Sequence, residues 1–93
     1  MPSIDISQRI DVPPEEARRR LESFQTELED RFGLVPTWTS PTEAQVRRTG
    51  ASGRLKIEPT RVGVRIDLSF ALTPLRGRIE SEIRRRLAEL FAD

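Results

Sequence analysis

The side chains available for chemistry in this 93-residue chain are one amine, Lys56, fifteen arginines, fifteen carboxylates and several serine and threonine hydroxyls; histidine, cysteine and tyrosine do not occur. Arginine stays protonated and cannot act as a general base at ordinary pH. Nucleophilic triads and most acid–base pairs therefore lack their members. A Ser–Lys dyad would have to use Lys56, which stands mid-strand between Leu55 and Ile57 and shares a wet face with Arg54 and Glu58. Counting alone leaves a carboxylate dyad open, but the expectation is a protein that is not an enzyme. The usual zinc, copper and haem ligand sets are also missing, so no metal and no cofactor is expected. Without cysteine there is no disulfide, and a reducing cytoplasmic location fits.

Binding chemistry remains. The net charge is +1 with 33% of residues charged, a mixed surface that argues against a dedicated nucleic-acid binder. Arg84-Arg85-Arg86 could hold phosphates, but Glu80, Glu82 and Glu89 lie within a turn and offset the field, which favours a solvated face. Trp38 could stack on a base or ligand; a half-buried core aromatic near Leu34 is the preferred reading. Arg76, Arg78 and the arginine triplet flank an apolar stripe, as on a helix lying in an interface, although an ordinary core-facing helix has the same pattern. The strand-borne basic residues Arg54, Lys56, Arg61 and Arg65 share a polar face and, with Arg76 and Arg78, form the candidate interaction surface.

These residues are positioned by elements that the hydrophobic periodicity marks out. Ile4, Ile6 and Ile10 alternate with polar residues and predict a strand ended by Pro13-Pro14. Pro14, Glu15 and Glu16 suit a first helical turn, and Ala17, Leu21, Phe24, Leu28 and Phe32 make one apolar stripe up to Gly33, a left-handed stop. Glu15–Arg19, Glu16–Arg20 and Glu27–Arg31 are spaced for i,i+4 ion pairs. Three short strands follow: 34–39, an edge because of Pro36, then 43–49 and 54–58, with Gly50 to Gly53 as a hairpin connection. From Val62 the alternation Val62, Val64, Ile66, Leu68, Phe70 predicts a long strand with one dry face. After Thr73-Pro74, read as an N-cap and first helical residue, Leu75, Ile79, Ile83, Leu87 and Leu90 repeat with helical spacing. Gly77, costly inside a helix, points to a close helix–sheet contact over Phe70.

The predicted fold is α+β, a two-layer sandwich of order β-α-β-β-β-β-α, with an antiparallel sheet and two helices on one face, in a single domain over 1–93. Helix one carries six acids against four arginines and helix two three acids against five arginines, so opposite signs would suit helices packed side by side. No leader pattern opens the chain from Met1 to Val12, and no window approaches the roughly 20 apolar residues that span a bilayer. Edge strands with exposed arginines allow a monomer or a sheet-extended homodimer.

The run Phe70-Ala71-Leu72-Thr73-Pro74-Leu75-Arg76-Gly77-Arg78-Ile79-Glu80, continuing through Ile83 and Leu87, resembles the signature of the polyhydroxyalkanoic acid system protein family. Ile4-Asp5-Ile6, Glu15-Glu16-Ala17-Arg18, Arg31-Phe32-Gly33-Leu34 with Trp38, Arg48-Thr49-Gly50 and Gly53-Arg54-Leu55 follow in the same order. The chain departs from the family pattern at Arg9-Ile10-Asp11-Val12, where members often carry a histidine, and at Ser40-Pro41-Thr42, where a Gly-Asp turn is usual. The resemblance makes Phe70, Pro74, Leu75, Gly77, Ile79, Glu80 and Ile83 the family-motif residues. It implies a place in bacterial storage-polyester metabolism, at the polyhydroxyalkanoate granule or its proteins, with no catalytic activity to carry over. The expected function is thus a non-catalytic accessory protein acting by surface contacts. The alternative is a nucleic-acid or regulatory binding module using the basic sheet face, which lacks the aromatics that single-strand binders stack bases on. A third reading, a ligand pocket between helices and sheet, is disfavoured by the short chain.

Overall fold

The structure, a computed structural model, describes residues 3–92; Met1, Pro2 and Asp93, the outer ends of the expected domain and of the leader reading, lie outside them. The elements are β1 (Ser3–Arg9), α1 (Pro14–Phe32), β2 (Val35–Ser40), β3 (Glu43–Arg48), β4 (Ala51–Ile57), β5 (Arg61–Leu68), a 3₁₀ segment (Phe70–Leu75) and α2 (Arg76–Leu90). All strand pairs are antiparallel, in the order β1-β5-β4-β3-β2. The chain therefore has the α+β sandwich that its periodicities predict, and β2 is an edge strand. Helix α1 carries the chain from one sheet edge to the other. At about 1.5 Å per residue its 19 residues reach roughly 28 Å, against about 19 Å across five strands.

Helix α1 begins with Pro13 extended and Pro14 in the first turn, where the missing N–H costs nothing. It ends at Gly33, whose φ of 67° lies in the left-handed region; the Gly33 N–H donates to the Glu29 carbonyl and the Leu34 N–H to that of Leu28. Arg48 donates from Nη1 to the Phe32 carbonyl at 2.7 Å, satisfying another acceptor that the helix leaves open. The stripe Ala17, Leu21, Phe24, Leu28, Phe32 packs with Ile79, Ile83, Leu87 and Phe91 over the inner residues of the sheet, in one contiguous core. Trp38 is half-buried against that core, as expected, with the Arg18 guanidinium 4.6 Å above its ring.

The two helices lie side by side and their opposite signs are used across the gap. Glu27 pairs with Arg86 at 2.8 Å and Arg31 with Glu82 at 3.7 Å. Glu16 pairs with both Arg19 and Arg20, so of the three predicted intrahelical pairs Glu16–Arg20 is the one formed as expected. Arg20 also donates to the Leu90 carbonyl at the end of α2.

Four local expectations are corrected. The hairpin connection is Thr49-Gly50, not Gly50 to Gly53: Gly50, with φ 84°, makes the turn, and β4 already starts at Ala51. Gly53 is a strand residue, and a Cβ there would run into the Arg65 carbonyl oxygen and reach 3.0 Å from the Ile66 Cα. It marks a close backbone approach rather than a turn. Phe70 is not on the dry underside of the sheet but 80% exposed. The neighbouring strand β4 explains why: Leu68 pairs with Ala51 where β4 begins, and the chain before Ala51 is the Thr49-Gly50 turn, so β4 offers residue 70 no ladder partner. The chain leaves the sheet at Ser69, whose N–H donates to the Gly50 carbonyl, and winds into the 3₁₀ segment. Consequently α2 starts at Arg76, and Thr73 and Pro74 lie inside the 3₁₀ segment instead of capping a helix. Gly77 is exposed, with nothing within 4 Å of a Cβ placed on it, so no close packing demands it.

Candidate functional site

Strand alternation sends every second residue of the sheet away from the helices, and no element among the described residues covers this face. The register sorts its residues into rows across the strands. Asp5, Arg65, Arg54, Gln45 and Thr37 form one row; Ser7, Gly63, Lys56 and Glu43 another; Ser3, Asp67, Ser52, Arg47 and Val35 a third; and Arg9 stands opposite Arg61 at one end. The face forms a shallow open concavity of about 760 Å³. Its floor is low at Gly63, where a Cβ would meet nothing within 4 Å, and at Ser7 and Ser52.

Charge on this face is uneven. Arg65 reaches Asp5 at 3.5 Å and Asp67 at 3.8 Å. Arg61 grips Glu58 through Nε at 3.2 Å and Nη2 at 3.3 Å, and this donation, with the nearby charges of Arg61 and Lys56, holds the Glu58 carboxyl below its ordinary value. Arg54 and Lys56, on the central strand, have no side-chain partner among the described residues. Arg54 stands directly opposite Arg65, a like-charge juxtaposition that costs stability in a sheet.

Of the six basic residues picked out from the sequence, the structure brings Arg54, Lys56, Arg61 and Arg65 together on the open face. Arg76 and Arg78 lie elsewhere, in the first turn of α2: Arg76 donates to the Ser3 carbonyl at 2.9 Å and approaches Glu80 at 4.0 Å, and Arg78 approaches Glu82 at 3.6 Å. Arg47 and Arg9 join the open face without having been singled out. Their signal was the alternation of Arg47 with Ala44 and Val46, and of Arg9 with Ile6 and Ile10, but which strands would neighbour them is not local information.

The family-motif residues divide between two roles. Ile79 and Ile83 are core, and Glu80 bridges Arg76 and Arg84, the latter at 3.7 Å. Phe70, Pro74, Leu75 and Gly77 are exposed, making an apolar knuckle where β5 turns into α2. Beside it a cleft of about 290 Å³ is lined by Arg31, Arg48, Leu75, Arg78 and Glu82 among others. Between helices and sheet the space is about 20 Å³ and wholly apolar, lined by residues such as Phe24, Val64 and Ile83. That is room for about one water-sized sphere, so the reading of a ligand pocket there is dropped. Among the described residues no group of three or more acidic, histidine or cysteine side chains is placed to hold a metal ion, and no helix is long and apolar enough to cross a membrane.

A family profile described as "Putative polyhydroxyalkanoic acid system protein" matches residues 4–91, nearly the whole of this architecture. The chain belongs to that family. No curated protein matches the chain. Among solved structures it is similar to the crystal structure of TTHA0849 from Thermus thermophilus, at 14% identity and a TM-score of 0.40, over 96% of this chain and 91% of that one.

Proposed function

We propose that the protein serves the polyhydroxyalkanoate system as a non-catalytic accessory that works by surface contact, with the storage-polyester granule or the proteins on it as its partner. Family membership supports the system. The contact mode is supported by one observation: Phe70, 80% exposed, and Leu75, 42% exposed, both lie in the short 3₁₀ segment that joins β5 to α2. An exposed phenylalanine ring gains roughly 1.5–3 kcal/mol when an apolar phase covers it. Arg76 and Arg78 beside it keep their charges at the rim, the arrangement by which an amphipathic segment sits at the boundary of an apolar phase. Nothing in this reading asks for a catalytic group.

Granule fractionation of a tagged copy in polymer-accumulating cells tests the proposal. The protein is expected in the buoyant granule fraction, and recovery entirely in the soluble fraction would remove the reading.

A further inference from the structure

The open face of the sheet carries cations that the knuckle at α2 does not use, and their arrangement follows from the register. Arg47 lies diagonally across from Arg54, Arg54 precedes Lys56 by two residues on β4, Lys56 lies diagonally across from Arg61, and Arg61 stands opposite Arg9. With strands about 4.8 Å apart and two residues spanning about 6.8 Å, this band crosses the sheet obliquely over about 25 Å, in steps of about 5 to 8 Å. Acids bank it on both sides: Asp5 and Asp67 toward β1, and Glu43 on β3. Glu43 stands opposite Lys56 in register yet forms no ion pair with it, and Glu58 is taken by Arg61. The middle of the band, Arg54 and Lys56, forms no direct ion pair among the described residues and faces a floor lowered by Gly63.

We infer that this band is a docking site for an extended acidic peptide segment of a partner protein, one with carboxylates on alternate residues. Such a segment repeats its charges every 6.8 Å or so, the spacing of Arg54 and Lys56 at the centre of the band and within the range of the other steps. Its uncharged alternate side chains point away from the floor. Binding relieves the Arg54–Arg65 repulsion, so the site is built at a cost in stability that the ligand offsets. A nucleic-acid strand fits worse on two counts. No aromatic ring lies on this face for bases to stack on, because Trp38 turns into the core. The acidic banks would also repel a polymer charged on every side, whereas a narrow stripe of carboxylates misses them.

The test uses the full chain and a fluorescein-labelled twelve-residue peptide alternating glutamate and threonine, with a peptide of the same composition but contiguous glutamates as the pattern control. Anisotropy at low salt is expected to show binding of the alternating peptide that weakens steeply as salt rises. Arg54→Gln combined with Lys56→Gln should weaken it about tenfold, each exposed charge contact contributing a few-fold. Arg85→Gln, on α2, should leave it unchanged, and the melting temperature of the Arg54→Gln variant should not fall. No binding of the alternating peptide, equal binding of the contiguous one, or insensitivity to the double substitution overturns the inference. So does tighter binding of a twelve-nucleotide single strand through the same residues, which would make the face a nucleic-acid site. Granule fractionation does not bear on this outcome, since the knuckle belongs to another part of the surface.

Discussion

Phe70→Ser should strip the protein from polyester particles while barely touching its stability, and both magnitudes follow from the exposure of one ring. A phenylalanine presents roughly 200 Å², and at Phe70 80% of it is open. About 160 Å² is thus free to be covered by a partner, worth about 4 kcal/mol at about 25 cal/mol per Å² if the ring were wholly enclosed. A convex knuckle against a broad surface covers about half, or about 2 kcal/mol, which is about a 30-fold change in partition. The remaining fifth of the ring touches the protein itself, so the fold loses at most about 1 kcal/mol and the melting temperature falls by about 5 °C or less. The assay is co-sedimentation of purified protein with polyhydroxyalkanoate particles over a range of particle surface, alongside a thermal melt. Leu75→Ser, with a smaller and less open side chain, should show a smaller loss in the same assay. Were Phe70→Ser to bind within about threefold of the parent while melting alike, the knuckle would not be the contact and the argument from exposed area would fail.

Two glycines of the sheet should behave oppositely. Gly53→Ala pushes a Cβ into the Arg65 carbonyl on the neighbouring strand and should cost about 2 kcal/mol or more, about 10 °C in melting temperature, whereas Gly63→Ala meets open space and should hold or raise stability by a few degrees; comparable losses in urea unfolding would refute the contrast. The cross-helix pair Glu27–Arg86, with both side chains a little over a quarter exposed, should show a coupling of about 0.5–1 kcal/mol in a double-mutant cycle with glutamine, and a coupling of zero would remove it as a link between the helices. For Glu58, NMR titration of the carboxyl should give a midpoint below the ordinary 4.5, moving up toward it in Arg61→Gln. Because the folded value is depressed, whatever stability this group adds is complete above the unfolded value and lost as pH falls through the folded one, so the acid limb below about pH 4.5 should lose that part in the variant. A midpoint at or above 4.5 in the parent chain would contradict the donation from Arg61.

The amphipathic stripe of α1 and the alternation of β5 were legible because each is a local repeat, and a local repeat decides which side chains share a face whatever the rest of the chain does. Gly33 was legible as a helix stop for the same reason: a left-handed residue after the last periodic position needs no distant partner. Gly53 and Gly50 were harder to separate. Both interrupt an apolar pattern, but one is needed for its own backbone angle and the other for the backbone of Arg65, on the neighbouring strand.

Phe70 shows the limit most clearly. It keeps the phase of Val62, Val64, Ile66 and Leu68, so period alone assigns it to the dry side, yet its ladder with β4 has ended there because β4 starts only at Ala51. Where a strand stops is set by its neighbours' lengths and register, which are pairings between distant segments and leave no trace in a local repeat. The sequence by itself determined the composition of the site, a surface of arginines without histidine or cysteine, and the two-layer class that follows from the switch of period across Thr73-Pro74. Only the tertiary structure decided the order β1-β5-β4-β3-β2, and with it that Arg47, Arg54, Lys56, Arg61 and Arg9 line up across one open face while Arg76 and Arg78 stand apart. Residues far apart in a chain become neighbours only through long-range hydrogen-bonded pairing, and the free energy that selects among pairings belongs to the whole core rather than to any segment.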